Sequence, residues 1–140
     1  MRVSRRIGVV LTVLGITAGM ASAAYAEGNW TSTISQALTG FNSRQWTDNN
    51  SDGTSTSIRF DGCIDVNAGY TPTSAEVQLT RETAWYLPDV NMGRKTLNCG
   101  YSDTQFWGQV QASNYHFTLE QIGGAASGER LNVAYVQVNF

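Results

Sequence analysis

The feature that most constrains the fold is a repeated alternation of apolar and polar residues with a period of two. In residues 114–121, every second residue from Tyr115 to Leu119 is apolar. Residues 74–80 and 57–64 repeat this pattern. Alternation over such short runs is typical of β-strands that bury one face. The chain is therefore expected to consist mainly of half-buried strands.

Turn-forming residues separate these runs at short intervals. Short strands with such spacing are typical of antiparallel sandwiches and barrels. We therefore predict an all-β fold, a single antiparallel β-sandwich of about seven or eight strands. The candidate strands are residues 29–34, 41–47, 57–64, 74–80, 83–87, 95–99, 106–111, 114–121 and 131–140, and the predicted turns are residues 48–53, 67–73, 88–93, 100–103 and 123–128.

Two of these strands carry a further signature. Gly62 interrupts the alternation before Cys63, as at a β-bulge or a turn. In residues 131–140, apolar residues occupy both faces, which is typical of a central strand covered on each side. We therefore expect residues 131–140 in the middle of a sheet with cover on both faces.

The N-terminus has the composition of an export signal. Three arginines stand within the first six residues, an apolar run follows at residues 7–20, and Ala24-Tyr25-Ala26 offers the small side chains that a signal peptidase accepts. The apolar run is shorter than the roughly 18–20 residues that span a bilayer. We predict that residues 1–26 are a cleaved secretory signal peptide of bacterial type, and that residues 27–140 form one secreted domain without a membrane anchor.

The predicted mature chain is acidic. Three of the 9 basic residues belong to the leader, so residues 27–140 carry 6 basic and 11 acidic side chains, a net charge of −5. Nucleic acids and anionic membranes bind basic surfaces, so we expect neither as a partner. The remaining 114 residues suffice for one modest core, and we expect a monomer.

Cys63 and Cys99 are the only cysteines. Exported chains with an even number of cysteines normally pair them, so we predict one disulfide. It would close a loop of about 37 residues and stabilise the fold by about 3–4 kcal/mol.

The segment that starts at Asp48 matches the first half of a calcium-binding loop. Asp48, Asn50 and Asp52 place side-chain oxygens at positions one, three and five, and Gly53 follows at position six. Position twelve is Arg59, where such a loop needs a bidentate glutamate. The same residue types form polar hairpin tips. We expect a solvent-exposed turn that binds calcium weakly or not at all, and no other cofactor.

Four tryptophans remain in the mature chain. Large rings fill the core of a small sandwich, but exposed rings also bind sugars and proteins. Trp85 and Tyr86 are adjacent, and neighbouring strand residues face opposite ways, which leaves one ring free for a ligand. We therefore predict Trp85 and Tyr86 as ligand-binding residues, with Trp46 beside Arg44 as the second choice.

The sequence contains no Gly-x-Ser-x-Gly elbow, His-Glu-x-x-His motif or phosphate-binding glycine loop. His116 alternates with apolar residues and is expected on the solvent face. Two carboxylate pairs, Asp61 with Asp65 and Glu76 with Glu82, are the candidates for acid–base chemistry.

These features favour a released, non-catalytic binding protein that engages a polysaccharide or a protein through exposed aromatic and polar side chains. An antimicrobial or inhibitory role falls within this hypothesis. The alternatives are a small extracellular hydrolase that uses carboxylate acid–base chemistry and a structural, envelope-associated protein.

Overall fold

The computed structural model describes residues 27–140, so the predicted signal peptide at residues 1–26 lies outside the described residues. Within the described part, the chain forms nine β-strands and no helix. All strand pairings are antiparallel. The strands are β1 (Asn29–Ala37), β2 (Trp46–Asp48), β3 (Thr56–Asp65), β4 (Thr71–Pro72), β5 (Ala75–Arg81), β6 (Val90–Leu97), β7 (Ser102–Gly108), β8 (Ser113–Ile122) and β9 (Leu131–Asn139).

The strands form two sheets that pack on each other. The first sheet has the order β1-β9-β3, and both β4 and β7 pair with the other side of β3. The second sheet has the order β2-β8-β5-β6. The predicted antiparallel sandwich is confirmed. The very short strands β2 and β4 bring the number to nine, slightly above the predicted count of about seven or eight.

The core forms where the apolar faces of the two sheets meet. β8 contributes Tyr115, Phe117 and Leu119, and β3 contributes Ile58 and Phe60, all of them buried. The ring centroids of Phe60 and Phe117 lie 5.5 Å apart in an edge-to-face arrangement. Rings of this size account for a large part of the apolar area that a small domain buries, so these two strands join the sheets.

In the middle of the first sheet, the alternation of buried and outward-facing residues shifts by one position; we call this shift the change of phase. β3 buries Phe60 and then Cys63, so its alternation skips one residue. The skip is at Gly62, whose φ is +65°. β9 skips at the neighbouring position, because both Val133 and Val136 are buried and pair with Cys63 and Phe60. The interruption predicted at Gly62 is therefore present and extends to the adjacent strand.

β9 lies in the centre of the first sheet, between β1 and β3, as predicted. The expectation that both of its faces are covered is wrong, because Ala134 is exposed and Tyr135 is half-buried. The sequence pattern looks two-faced for a local reason. The skip places Val133 and Val136, three residues apart, on the same inner face.

Cys63 and Cys99 form the predicted disulfide, with their Cα atoms 5.1 Å apart. Both residues are fully buried. Cys63 belongs to β3 of the first sheet, and Cys99 follows β6 of the second. The bond therefore ties the two sheets together, and it is consistent with an extracellular, oxidising environment.

Two predictions around Pro88 are wrong. Residues 83–87, predicted as a strand, form a turn, and β6 begins at Val90 within the predicted turn at residues 88–93. The pairing of β5 with β6 ends at Arg81 and Val90, so residues 82–89 form the loop of this hairpin. Pro88, which has no N–H to donate to a neighbouring strand, lies within that loop. Of the predicted strand at residues 41–47, only the end belongs to β2.

Candidate functional site

The most exposed aromatic side chain of the described residues, Trp85, lies in the loop of residues 83–89 (the 83–89 loop), between β5 and β6. Trp85 is 95% exposed, Tyr86 68% and Leu87 53%. The sequence predicted that one ring of the Trp85-Tyr86 pair would be free because strand residues alternate. Both rings are exposed instead, because these residues lie in a turn and not in a strand. The loop thus presents a continuous apolar segment to solvent.

Hydrogen bonds within the loop hold its shape. The backbone N–H of Thr83 donates to Asp89 Oδ1 (3.0 Å), and the Thr83 hydroxyl donates to the carbonyl oxygen of Leu87 (3.0 Å). The backbone N–H of Leu87 donates to the carbonyl oxygen of Ala84 (2.8 Å). Such bonds from Thr and Asp side chains are common stabilisers of turns. The segment that carries Trp85 therefore has a defined conformation.

The base of the loop is anchored to β8. The backbone N–H of Glu82 donates to the Asn114 carbonyl (2.8 Å), and the Ser113 hydroxyl donates to the Glu82 carbonyl (3.0 Å). The Glu82 carboxylate contacts His116 Nδ1 at 2.9 Å and accepts a hydrogen bond from the Gln45 side chain. His116 thus lies on the outer face of the second sheet, where the sequence placed it, and supports the loop through Glu82.

The two exposed rings are perpendicular. Their centroids lie 5.6 Å apart with an interplanar angle of 86°, so Trp85 and Tyr86 make an edge-to-face pair. This arrangement is favourable between aromatic quadrupoles. It also means that the two rings do not share a flat surface.

Trp46, the second choice of the sequence analysis, lies in the core. It is only 5% exposed. Its ring centroid lies 5.9 Å from that of Trp30 and 6.2 Å from that of Phe140. Its neighbour Arg44 is exposed, and the Arg44 Cζ atom lies 5.4 Å from the centre of the Trp30 ring. The structure thus brings Arg44 to Trp30 and leaves the ring of Trp46 inaccessible to a ligand.

In the predicted calcium loop, three of the four carboxylate oxygens of Asp48 and Asp52 accept hydrogen bonds within the protein, and the fourth, Asp52 Oδ2, is buried without a partner among the described residues. Asp48 is buried; its Oδ1 accepts a hydrogen bond from the Asn50 N–H (2.8 Å), and its Oδ2 accepts one from the Thr56 hydroxyl (2.9 Å). Asp52 Oδ1 accepts from the Thr54 N–H (2.7 Å). Across residues 27–140, no three His, Cys, Asp or Glu side chains are grouped as metal ligands.

Glu27 lies against the same loop. Its carboxylate accepts hydrogen bonds from the backbone N–H groups of Asn49 (2.8 Å) and Ser51. The bonds from Ser51, and then those from Asn49, lower the pKa of Glu27 from 4.5 to about 2. The loop therefore binds an anion that belongs to the chain itself.

The carboxylate pairs named for acid–base chemistry are not brought together. Glu76 lies in β5 and Glu82 directly follows this strand. Six residues of extended chain span about 20 Å. Asp61 forms an ion pair with Arg59 at 2.7 Å, and the hydrogen bond from Arg59 lowers the pKa of Asp61. Asp61 and Asp65 are four residues apart in β3, about 13 Å in an extended strand, and both pairs thus exceed the separation of about 5–10 Å that paired-carboxylate catalysis uses.

Asp65 instead has an acidic neighbour that the sequence analysis missed. The pKa of Glu129 is raised, first by desolvation and then by the nearby Asp65 carboxylate. Asp65 Oδ1 accepts hydrogen bonds from the N–H groups of Asn67 (3.0 Å) and Ala68 (3.1 Å), so it caps the turn after β3. Glu129 comes from the loop before β9, more than sixty residues away, and no local pattern connects the two.

A cleft that no sequence pattern predicts lies between β1 and residues 41–44. It has a volume of about 100 Å³ and is lined by apolar side chains of both sheets, by Arg44, and by Ser32, Thr33 and Ser43. Its residues are scattered over β1, β8, β9 and the chain before β2. Only the pairing of these strands brings them to one place.

Among the described residues, no helix is long and apolar enough to cross a bilayer. The comparisons with known proteins add no relative from which a role could be transferred: no protein-family model, no curated protein and no solved structure matches the chain.

Proposed function

We propose that this protein is a secreted, non-catalytic interaction protein whose 83–89 loop binds a protein partner, with Trp85 as the anchor. The observation that carries the proposal is the 95% exposure of Trp85 on a loop that its own hydrogen bonds hold in place. Single exposed apolar residues are common on protein surfaces. A fixed, contiguous Trp-Tyr-Leu segment is the composition expected of an interaction site.

The rigidity of the loop supports a binding role. A flexible loop loses conformational entropy when it binds, and that loss lowers affinity. Here Thr83 and Asp89 already hold the loop in one shape, and Glu82 attaches its base to β8. Most of the conformational entropy of the loop is therefore lost when the protein folds and not when it binds. The free energy gained when Trp85 is buried in a partner then contributes mainly to affinity.

The ring geometry favours a protein over a polysaccharide. A glycan chain stacks its flat sugar faces on aromatic rings that lie in one plane, whereas Trp85 and Tyr86 are perpendicular. A pocket in a protein accepts a ring from its edge or its face, and Leu87 extends the apolar contact beside the rings. Tryptophan and tyrosine are also the residues most enriched among energetically dominant contacts between proteins.

The proposed extracellular location rests on two observations. The first 26 residues have the composition of a signal peptide. The buried Cys63–Cys99 bond is of the kind that persists outside the cytosol.

The proposal is tested by comparing Trp85→Ala with Tyr101→Ala. Tyr101 is 90% exposed and follows β6, whereas Trp85 precedes that strand. We immobilise residues 27–140 and measure retention of extracellular and envelope proteins of the producing cells, and in parallel retention on insoluble polysaccharides. We expect one protein to be retained by the wild type and by Tyr101→Ala. Trp85→Ala weakens its binding by about 2 kcal/mol or more, with an unchanged Tm.

Equal retention by Trp85→Ala and the wild type would contradict the proposed anchor. Retention on a polysaccharide that depends on Trp85, with no retained protein, would replace the proposed partner class. Trp46→Ala serves as the core control, because removal of a buried ring lowers the free energy of unfolding by roughly 3–5 kcal/mol.

A further inference from the structure

The two long edges of the sandwich differ in how tightly they are closed. At one edge, the indole N–H of Trp107 in β7 donates to the carbonyl oxygen of Gly93 in β6 (3.1 Å), and the Cys63–Cys99 bond joins the sheets nearby. At the opposite edge, the cleft between β1 and residues 41–44 remains open. This edge is a separate feature from the 83–89 loop.

The floor of the cleft is apolar. Trp30 and Ile34 of β1, Phe117 of β8 and Val136 of β9 line it, and all four are buried. The rings of Trp30 and Phe117 stack at 15° with centroids 6.2 Å apart. The floor thus offers a smooth, rigid apolar surface of aromatic and branched side chains.

Arg44 gives the cleft a positive rim. Its guanidinium lies over the Trp30 ring, 5.4 Å from the centroid, a cation–π contact that limits its freedom. Within residues 27–140, Arg44 forms no salt bridge with an acidic side chain. Trp30 Nε1 is also buried without an acceptor in the described part of the chain. The unpaired polar groups of Arg44 and Trp30 are therefore hydrogen-bond donors.

We propose that this cleft binds a carboxylate carried on a small apolar group. The planar fork of Arg44 pairs with the two carboxylate oxygens, a geometry that guanidinium groups match in two parallel hydrogen bonds. The apolar part of the ligand lies on Trp30, Ile34 and Phe117. Charge decides the class of ligand, because an amine would meet the Arg44 cation and a neutral amide would leave it unpaired.

The size of the cleft limits the apolar group. A dry protein cavity of about 150 Å³ holds a benzene molecule. The cleft measures about 100 Å³, so a chain of about four or five carbon atoms fills it. Pentanoate and hexanoate are therefore suitable probes, and their amides are matched neutral controls.

The test follows the four tryptophan indole N–H signals of the protein by NMR during titration with hexanoate and with hexanamide. Hexanoate is expected to shift the Trp30 signal with saturation and to leave the Trp85 signal in place. Hexanamide is expected to bind at least tenfold more weakly. Because the readout is at Trp30, the result is independent of what the 83–89 loop binds.

Variants separate the charge of Arg44 from general effects. Arg44→Gln should weaken hexanoate binding about tenfold or more, since a charge-assisted pair is lost. Arg44→Lys keeps the charge without the planar fork and should give an intermediate affinity. Arg130→Gln removes the same charge from an exposed residue outside the cleft and should bind as the wild type does.

The carboxylate can belong to a free acid or to the C-terminus of a peptide. A short peptide that ends in leucine, compared with its C-terminal amide, distinguishes these sources: tighter binding of the free-acid peptide than of hexanoate assigns the site to chain ends, and the reverse assigns it to small acids. Equal binding of hexanoate and hexanamide, a Trp30 signal that does not saturate, or full affinity in Arg44→Gln would overturn the proposal.

Discussion

At the scale of single residues, the carboxylate of Glu27 organises a loop that is distant in sequence. Its hydrogen bonds to Asn49 and Ser51 lower its pKa to about 2, from an ordinary value of 4.5. A lowered pKa in the folded state stabilises the fold above about pH 4.5, and this stabilisation is lost as the pH falls through about 2. Glu27→Gln should therefore lower Tm at pH 7, and its difference from the wild type should vanish near pH 2.

Glu129 provides a matched control with the opposite sign. Its pKa is raised by desolvation and by Asp65, so its ionisation destabilises the fold as the pH rises through that raised value. Glu129→Gln should raise Tm at pH 7. Thermal melts from pH 2 to pH 7 measure the Tm of both variants. If both variants change Tm by the same amount at every pH, ionisation of Glu27 and Glu129 does not cause the change.

The contrast between Trp46 and Trp85 also belongs to this scale. Trp46 has polar neighbours in sequence and Trp85 has apolar and aromatic ones, yet Trp46 is 5% and Trp85 95% exposed. Trp46 is buried because Trp30 and Phe140, from opposite ends of the described chain, pack against it. Its neighbouring residues carry no sign of these contacts. The sequence therefore identified the exposed aromatic pair but not the burial of the second candidate.

At the scale of strands, Gly62 fixes the change of phase in the first sheet. Its φ of +65° is strained for any residue with a Cβ, and an added Cβ would lie 3.0 Å from the Cβ of Ala134. Gly62→Ala should lower the free energy of unfolding by about 1–2 kcal/mol for the backbone conformation, with a further loss from the close contact. Urea denaturation measures the change.

Gly40→Ala is the control for the contact. Gly40 has a φ of +86° and open space where a Cβ would lie, so only the backbone contribution applies. A larger loss in Gly62→Ala than in Gly40→Ala is expected. Equal losses would mean that Ala134 moves aside without cost.

The strands that the sequence predicts best are those whose apolar residues alternate without interruption. β5 and β8 lie within one residue of their predicted limits at each end, because each buries an apolar face and has mainly polar, half-buried side chains on the other. The 83–87 strand prediction failed because side-chain hydrogen bonds from Thr83 and Asp89 close a turn there. The cleft was beyond sequence reasoning, because its walls come from strands that only the sheet order places together.

At the scale of the whole molecule, the disulfide joins the two sheets across 36 residues of sequence. Closing a loop of this length in the unfolded chain should stabilise the fold by about 3–4 kcal/mol. The double variant Cys63→Ala/Cys99→Ala should lower the free energy of unfolding by this amount. Urea denaturation with and without reductant measures it; wild-type stability in the double variant would contradict the estimate.

The position of β9 sets the order in which the molecule can be completed. Among residues 27–140, β1 pairs with β9 alone, and β9 is the last strand described. During synthesis, β1 therefore remains without this partner until β9 has been made. Pairings between such distant segments slow folding, so the first sheet closes late. Until these distant strands meet, the unpaired edges of the first sheet stay open to strands of other molecules.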